Sequence, residues 1–253
     1  MKRHLVLAYG VASYAAFFAT FLYAIGFVGN LWVPRTIDGA PGVPFVNALV
    51  TNVGLLALFA IQHSLMARPE FKRLWTRVIP QPMERSTYVL ASSAALLLLF
   101  HFWEPMGGLV WAIEHPVGRA AMWTLFGAGW LLVLVTTFLI NHFDLFGLRQ
   151  VWLHFRGRPY TLLVFVTPGP YRMVRHPLYV GWLLAFWATP VMTGAHLVFA
   201  LVTTLYILAA IRLEERDLEA IHGEDYANYR RRVPMLLPRL AARRPPALAA
   251  GGR

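Results

Sequence analysis

Long stretches of apolar side chains recur along the chain, separated by short segments that hold nearly all of its charge. They fall near 5–29, 45–66, 87–103 and 120–141, with a last and longer one at 178–211. A helix needs about 20 mostly apolar residues to cross the hydrocarbon core of a bilayer, so the first four stretches predict membrane-spanning helices. The last is too long for one simple crossing and carries Thr189, Pro190 and Gly194 near its middle. It therefore predicts a hairpin of two short helices. The pattern gives an all-α, polytopic integral membrane protein with four or five long helices plus a C-terminal helical hairpin, about six membrane segments in total. Residues 1–239 read as a single membrane domain. The tail 240–253, rich in Ala, Pro and Arg, is expected to be disordered.

Composition agrees with the pattern. Hydrophobic residues make up 58% of the chain and charged residues only 14%, too apolar for a soluble domain of this length. The basic Met1-Lys2-Arg3 start precedes a long, aromatic run without a clear small-residue cleavage site. That run reads as the first membrane helix rather than a signal peptide. Cysteine is absent, which rules out a disulfide framework and a thiolate metal site.

The net charge of +11 raises the question of nucleic acid, and the distribution of charge answers it. With alternating spans and a cytoplasmic N-terminus, only Arg35 and Arg119 of the 23 Lys and Arg residues fall near the opposite face. This is the positive-inside pattern for a cell-membrane protein with both termini in the cytoplasm. The surplus orients the protein and meets anionic lipid headgroups; a nucleic-acid partner is not implied.

The same orientation gathers the polar motifs. Gln62-His63-Ser64, Glu84-Arg85-Ser86, Asn141-His142-Phe143-Asp144, Arg175-His176 and Glu214-Glu215 all fall at cytoplasmic helix ends, and 144–156 reads as an interfacial amphipathic helix. In RHPLYVG, Pro177 suits the first turn of a helix and pushes His176 out of the helical region. A helix is predicted to start at Pro177, with His176 at its cap and Tyr179 one turn in. The helix N-terminus with Arg172 and Arg175 forms an anion site. Gly181 leaves room for the close approach of another helix or of a cofactor. Glu214 and Glu215, where the hairpin returns, suit a cationic group, and Tyr171, Tyr179, Tyr226 and Tyr229 offer aromatic faces to a flat ring or a cation.

The composite GPYxxVRHPxYxG, apolar hairpin, EExxLxxxxGxxYxxYxxRVP spans 169–234. It resembles the C-terminal signature of integral-membrane S-adenosyl-L-methionine (SAM) methyltransferases, the group that includes isoprenylcysteine carboxyl methyltransferase and phospholipid N-methyltransferases. That resemblance implies SAM as cofactor, with S-adenosyl-L-homocysteine as its product. It implies a cofactor-binding part at 168–238 built from Tyr171, Arg172, Arg175, His176, Tyr179, Gly181, Glu214, Glu215, Tyr226, Tyr229 and Arg232.

Upstream, FLYAIGF at 21–27, IQHSLMARPEFKRLWTRVIP at 61–80, ERSTYVL at 84–90 and TFLINHFDLFGLRQVWL at 137–153 resemble the methanethiol S-methyltransferases over nearly the whole chain. These enzymes make dimethyl sulfide from methanethiol, and some also methylate hydrogen sulfide. A small thiol substrate and the surrounding lipids are then the partners, and no obligate protein partner is inferred. Methyl transfer from a sulfonium is an in-line displacement in which the thiolate is the nucleophile, so a base would help. The candidates are His142, His63 and Asp144, with His176 also available if it is not committed to the cofactor. A metal set from the same side chains lacks any short ligand spacing, and none is expected. The open alternatives are an isoprenylcysteine carboxylate or a phospholipid amine as acceptor, and a transporter or membrane assembly factor with a degenerate fold.

Overall fold

The computed structural model describes residues 2–164 and 166–238; the expected disordered tail at 240–253 lies outside the described residues. The chain order is α1 (Arg3–Gly29), α2 (Phe45–Ala67), α3 (Pro69–Trp75), α4 (Glu84–Phe102), β1 (Leu109–Ala112), α5 (Pro116–Ile140), α6 (His142–Leu145), α7 (Leu148–Phe155), α8 (Pro177–Trp187), β2 (Val191–Thr193), α9 (Gly194–His222) and α10 (Glu224–Arg232). Five helices are long and apolar enough to cross a bilayer: α1, α2, α4 with the turn before it, α5 and α9. This is the expected polytopic helical architecture.

Two features differ from the expectation. The hairpin arms are unequal, with 11 residues in α8 and 29 in α9. At 1.5 Å per residue α8 rises about 16 Å, roughly half the hydrocarbon thickness. Extended chain from Ala188 to Thr193 follows it, and its polar backbone is matched inside the protein, as a bilayer requires. The Trp111 indole donates to the Thr189 carbonyl at 3.2 Å and the Ile113 amide to the Pro190 carbonyl at 2.8 Å. The second difference is a short antiparallel ribbon in which β1 pairs with β2, with Leu109 opposite Thr193 and Ala112 opposite Val191.

The apolar core sits toward the ribbon end. Phe27, Leu99, Phe100, Trp103, Phe126 and Phe199 pack there, and the Trp103 indole pins the loop after α1 through the Ile37 carbonyl at 3.0 Å. At the other end Arg68, just past α2, pairs with Asp217 of α9 at 3.1 Å. The α2 exit and the α9 exit therefore share one end of the bundle. Between α5 and α8 the backbones nearly touch, because Gly129 and Gly181 face each other.

Candidate active site

Proline at the first helical position starts α8 at Pro177, and His176 takes the cap. The amides before it lie outside the helix and find their partners elsewhere. Arg175 N donates to the Pro234 carbonyl at 2.8 Å and His176 N to the Met235 carbonyl at 3.2 Å. The chain that follows α10, at Pro234 and Met235, is thus the segment against which the Arg175 and His176 backbone is laid.

Their side chains meet one carboxylate. Arg175 Nε donates to Glu215 Oε1 at 2.7 Å, and His176 Nε2 lies 2.9 Å from the same oxygen. Arg175 Nη1 also donates to the Val233 carbonyl at 2.6 Å, and Arg230 Nε approaches Glu215 Oε2 at 3.4 Å. The Glu215 side chain is only 8% exposed, against 45% for Glu214. A buried carboxylate shared by two or three donors is already matched. Glu215 therefore organises the cluster, and the carboxylate left open beside it is Glu214, which accepts from the Tyr179 hydroxyl at 2.9 Å.

Helix α10 closes the cluster from the side. Tyr226 is buried and its ring lies 5.9 Å from that of Tyr229, whose hydroxyl donates to the Tyr171 carbonyl at 2.6 Å. Burial, reinforced by the nearby Glu215 carboxylate and opposed by Arg175, pushes the Tyr229 phenol up to about 12. Burial likewise raises Tyr171 and Tyr226, so these phenols remain protonated donors at neutral pH. Next to Tyr229 opens a cleft of about 660 Å³ lined by Arg172, His222, Asp225, Arg232, Leu163 and Val164 among others. Two guanidinium groups and an apolar wall there match a ligand that carries both an anionic group and an aromatic ring.

Of the residues singled out in the sequence, Tyr171, Arg175, His176, Tyr179, Glu214, Glu215, Tyr226 and Tyr229 come together, and Arg172 and Arg232 line the adjoining cleft. Gly181 is placed elsewhere. A side chain there would meet Val133 Cγ2 at 2.8 Å and the Gly129 carbonyl at 2.9 Å, so its bareness serves the α5–α8 contact. Arg230, which touches Glu215, carried no separate signal within the Arg230-Arg231-Arg232 run.

The three acid–base candidates fall into separate settings. Asn141 ends α5 in the left-handed conformation (φ 94°) and caps α6 through its side chain. That turn tucks His142 under α5, where its ring stacks on Phe138 at 4.1 Å. The Thr137 hydroxyl donates its single proton to the Leu134 carbonyl at 2.7 Å, so at 2.8 Å it accepts from His142 Nδ1–H. The Nε2 lone pair then receives the Tyr14 hydroxyl at 2.8 Å. Burial lowers the His142 pKa, which keeps the ring neutral at pH 7.

Asp144 does not pair with His142. Its carboxylate receives Arg149 at 2.8 Å and Tyr160 at 3.3 Å. The carboxylate is therefore already engaged by a guanidinium and a phenol. His63 lies across the bundle on α2, bound to Tyr88 and Ser92 of α4. Among the described residues no three His, Asp or Glu side chains gather as a metal set.

Comparison with known proteins narrows the chemistry. Residues 121–225, from α5 into α10, match the family described as Phospholipid methyltransferase. A Methanethiol S-methyltransferase from Crocosphaera subtropica is 59% identical over 94% of this chain and 93% of its own length. A protein of the same name from Mycobacterium tuberculosis is 56% identical over 94% of this chain and 98% of its own. Nurim from Bos taurus is 33% identical over 76% of this chain and 75% of its own. No solved structure matches the chain.

Proposed function

Because the chain belongs to the methanethiol S-methyltransferase family, we infer that it is a membrane enzyme that methylates methanethiol to dimethyl sulfide, with hydrogen sulfide as a further acceptor and SAM as the donor. The observation that carries the donor site is the junction of Arg175, His176 and Glu215 across α8 and α9, with Glu214 and Tyr179 open beside it. When bound, SAM supplies a methyl group activated by the adjacent sulfonium charge. The chain's part is to bind, orient and dehydrate.

Arg172 and Arg232 present guanidinium forks to the donor's carboxylate, and the apolar and aromatic wall of the cleft takes its adenine. Glu214 faces the donor's ammonium and sulfonium charge, while Tyr179 fixes the direction of that carboxylate. Arg175 and His176 are positioning groups held by Glu215. Tyr226 and Tyr229 close the pocket from α10, and Tyr229 ties that helix to Tyr171 in the turn before α8. In this reading the site and both termini face the cytoplasm, where the basic charge concentrates.

His63 and His142 are the groups to take the thiol proton; Asp144 is bound to Arg149 and acts through structure. A methanethiol-sized acceptor partitions into the bilayer and needs no broad aqueous mouth. The relatives do not favour a prenylcysteine or phospholipid acceptor, nor a non-enzymatic role. Purified protein given SAM and methanethiol is expected to release dimethyl sulfide into the headspace, and calorimetry is expected to register S-adenosyl-L-homocysteine binding. A silent headspace together with turnover of a lipid acceptor would replace the thiol in this reading, and the lack of either ligand response would remove the enzyme.

A further inference from the structure

The Gln62-His63-Ser64 and Glu84-Arg85-Ser86 runs are not used by the donor site, yet the fold brings them together. His63 of α2 sits against Tyr88 of α4, whose hydroxyl lies 2.8 Å from Nε2 and 3.1 Å from Nδ1. Ser92 Oγ lies 3.1 Å from Nδ1, and the Phe59 ring stacks at 5.2 Å. The neighbouring Ser64 hydroxyl meets Tyr206 of α9 at 3.0 Å. Packing of apolar helices does not call for an imidazole, and an ionisable side chain inside membrane segments marks function by default.

Tyr88 occupies the decisive position in this cluster. Its phenol is within electrostatic reach of Tyr206 and of Tyr179, and Tyr179 holds Glu214 at the donor site. The Arg85 guanidinium lies 5.6 Å from the Tyr88 ring centroid. A phenol both donates and accepts. With its proton directed at His63, its oxygen retains lone pairs for an incoming S–H, and the Arg85 cation steadies negative charge developing there.

We propose that Tyr88 is the catalytic residue that meets the acceptor thiol and relays its proton to His63. The assignment rests on the methanethiol S-methyltransferase reading above and names the acceptor side of that same site. In the step, the S–H bond breaks and its proton goes to the Tyr88 oxygen as the Tyr88 proton passes to His63 Nε2. The freed sulfur pair forms the bond to the methyl carbon. The bond from that carbon to the sulfonium sulfur breaks, with its electron pair left on that sulfur. Positive charge thus moves from the donor sulfur to the imidazole, and the products are a neutral dialkyl sulfide and a neutral thioether.

The charged and titratable groups facing Tyr88 are Arg85 and Glu84 on its own helix, Arg68 past the end of α2, His63 on α2, Tyr206 on α9 and Tyr179 on α8. Among these side-chain types only an imidazole ordinarily changes charge between about pH 6 and 8, so a pH profile isolates the relay. Tyr88→Phe keeps the ring and its contact with Arg85 and deletes the hydroxyl alone. Its kcat/KM for methanethiol at pH 7 is expected to fall about 100-fold, the usual scale of general acid–base assistance. Its affinity for S-adenosyl-L-homocysteine should stay within about 2-fold, and the deficit should shrink as rising pH ionises the thiol in solution.

His63→Gln should show the same pH-dependent deficit, and the double variant no more than either single change, because the two residues act as one unit. Wild-type turnover in Tyr88→Phe, a deficit equal at every pH, or a loss of homocysteine-product binding that matches the loss of rate each overturns the relay alone. Failure of the wild type to make dimethyl sulfide overturns the family activity and the relay together.

Discussion

At the scale of single residues, the two adjacent glutamates have different duties because one is buried and the other is not. Glu215 is matched by Arg175 and His176, and Arg175 itself is only 10% exposed. Glu215→Gln removes the charge that Arg175 was buried with, and breaking such a pair costs about 3–5 kcal/mol. The expected result is a large drop in thermal midpoint and a matching loss of S-adenosyl-L-homocysteine affinity. Glu214→Gln, at a half-exposed position, should cost no more than about 1 kcal/mol of stability while still weakening product binding, which thermal melts and calorimetry in the same detergent would separate. His142 gives a pH dependence whose sign follows from its lowered pKa. In the unfolded chain its imidazole titrates near its ordinary value of about 6.5, and in the folded chain it titrates below that. The folded state then binds fewer protons, so stability is present above about pH 6.5 and is lost as pH falls through the window beneath it. His142→Gln should flatten that acid-side slope in melts between about pH 5 and 7; an unchanged slope would place its origin in another group.

At the scale of elements, the proposed donor site depends on where α8 begins and on what α8 leans against. Its start is written locally in the chain, since Pro177 can open a helix and cannot sit inside one. The polar clusters at helix ends are also local, and for that reason the Arg175, His176 and Glu215 grouping is legible from sequence. The pairs to which we assign the acid–base chemistry are not. Tyr14 meets His142 across 128 residues and Tyr88 meets His63 between successive membrane helices, and periodicity carries no information about which helix face meets which. Asp144 shows the converse: its nearness to His142 in sequence suggests a pair, but the turn set by Asn141 aims it at Arg149. The unequal hairpin and the ribbon were hidden because an apolar run looks the same in a helix and in a buried extended segment. Gly181 is where the α8 position is fixed. An alanine there would sit 2.8 Å from Val133 Cγ2, 2.9 Å from the Gly129 carbonyl and 2.9 Å from the Val133 amide nitrogen. Gly181→Ala should therefore destabilise by about 1–3 kcal/mol, as overpacking does, and weaken product binding by displacing His176. Adding Val133→Ala should not restore either property, because two of the three obstructing atoms belong to the backbone.

At the scale of the whole molecule, charge and chemistry lie at one end and the apolar core at the other. The basic residues, the Arg68–Asp217 pair and the Glu215 cluster share the end where α2 and α9 exit, while Trp103, Phe27 and the ribbon occupy the opposite end. A bilayer makes this polarity an orientation. Lys and Arg near helix ends are retained on the cytoplasmic side, and among the described residues every Lys and Arg except Arg35 and Arg119 belongs to a segment at the site's end. The donor in our reading is a nucleotide-derived molecule of the cytoplasm, so a site facing outward would be without it. The absence of cysteine makes the orientation measurable without first removing native thiols. Ala40 lies exposed in the loop after α1 and Gln81 in the turn before α4, at opposite ends of the bundle. In intact cells a membrane-impermeant maleimide should label Ala40→Cys and leave Gln81→Cys untouched until the cells are opened. Both variants should retain turnover, since neither side chain touches the clusters at Glu215, His63 or His142. The reverse labelling pattern would turn the molecule over in the membrane and separate the site from its donor, leaving the proposed reaction without a supply of methyl groups.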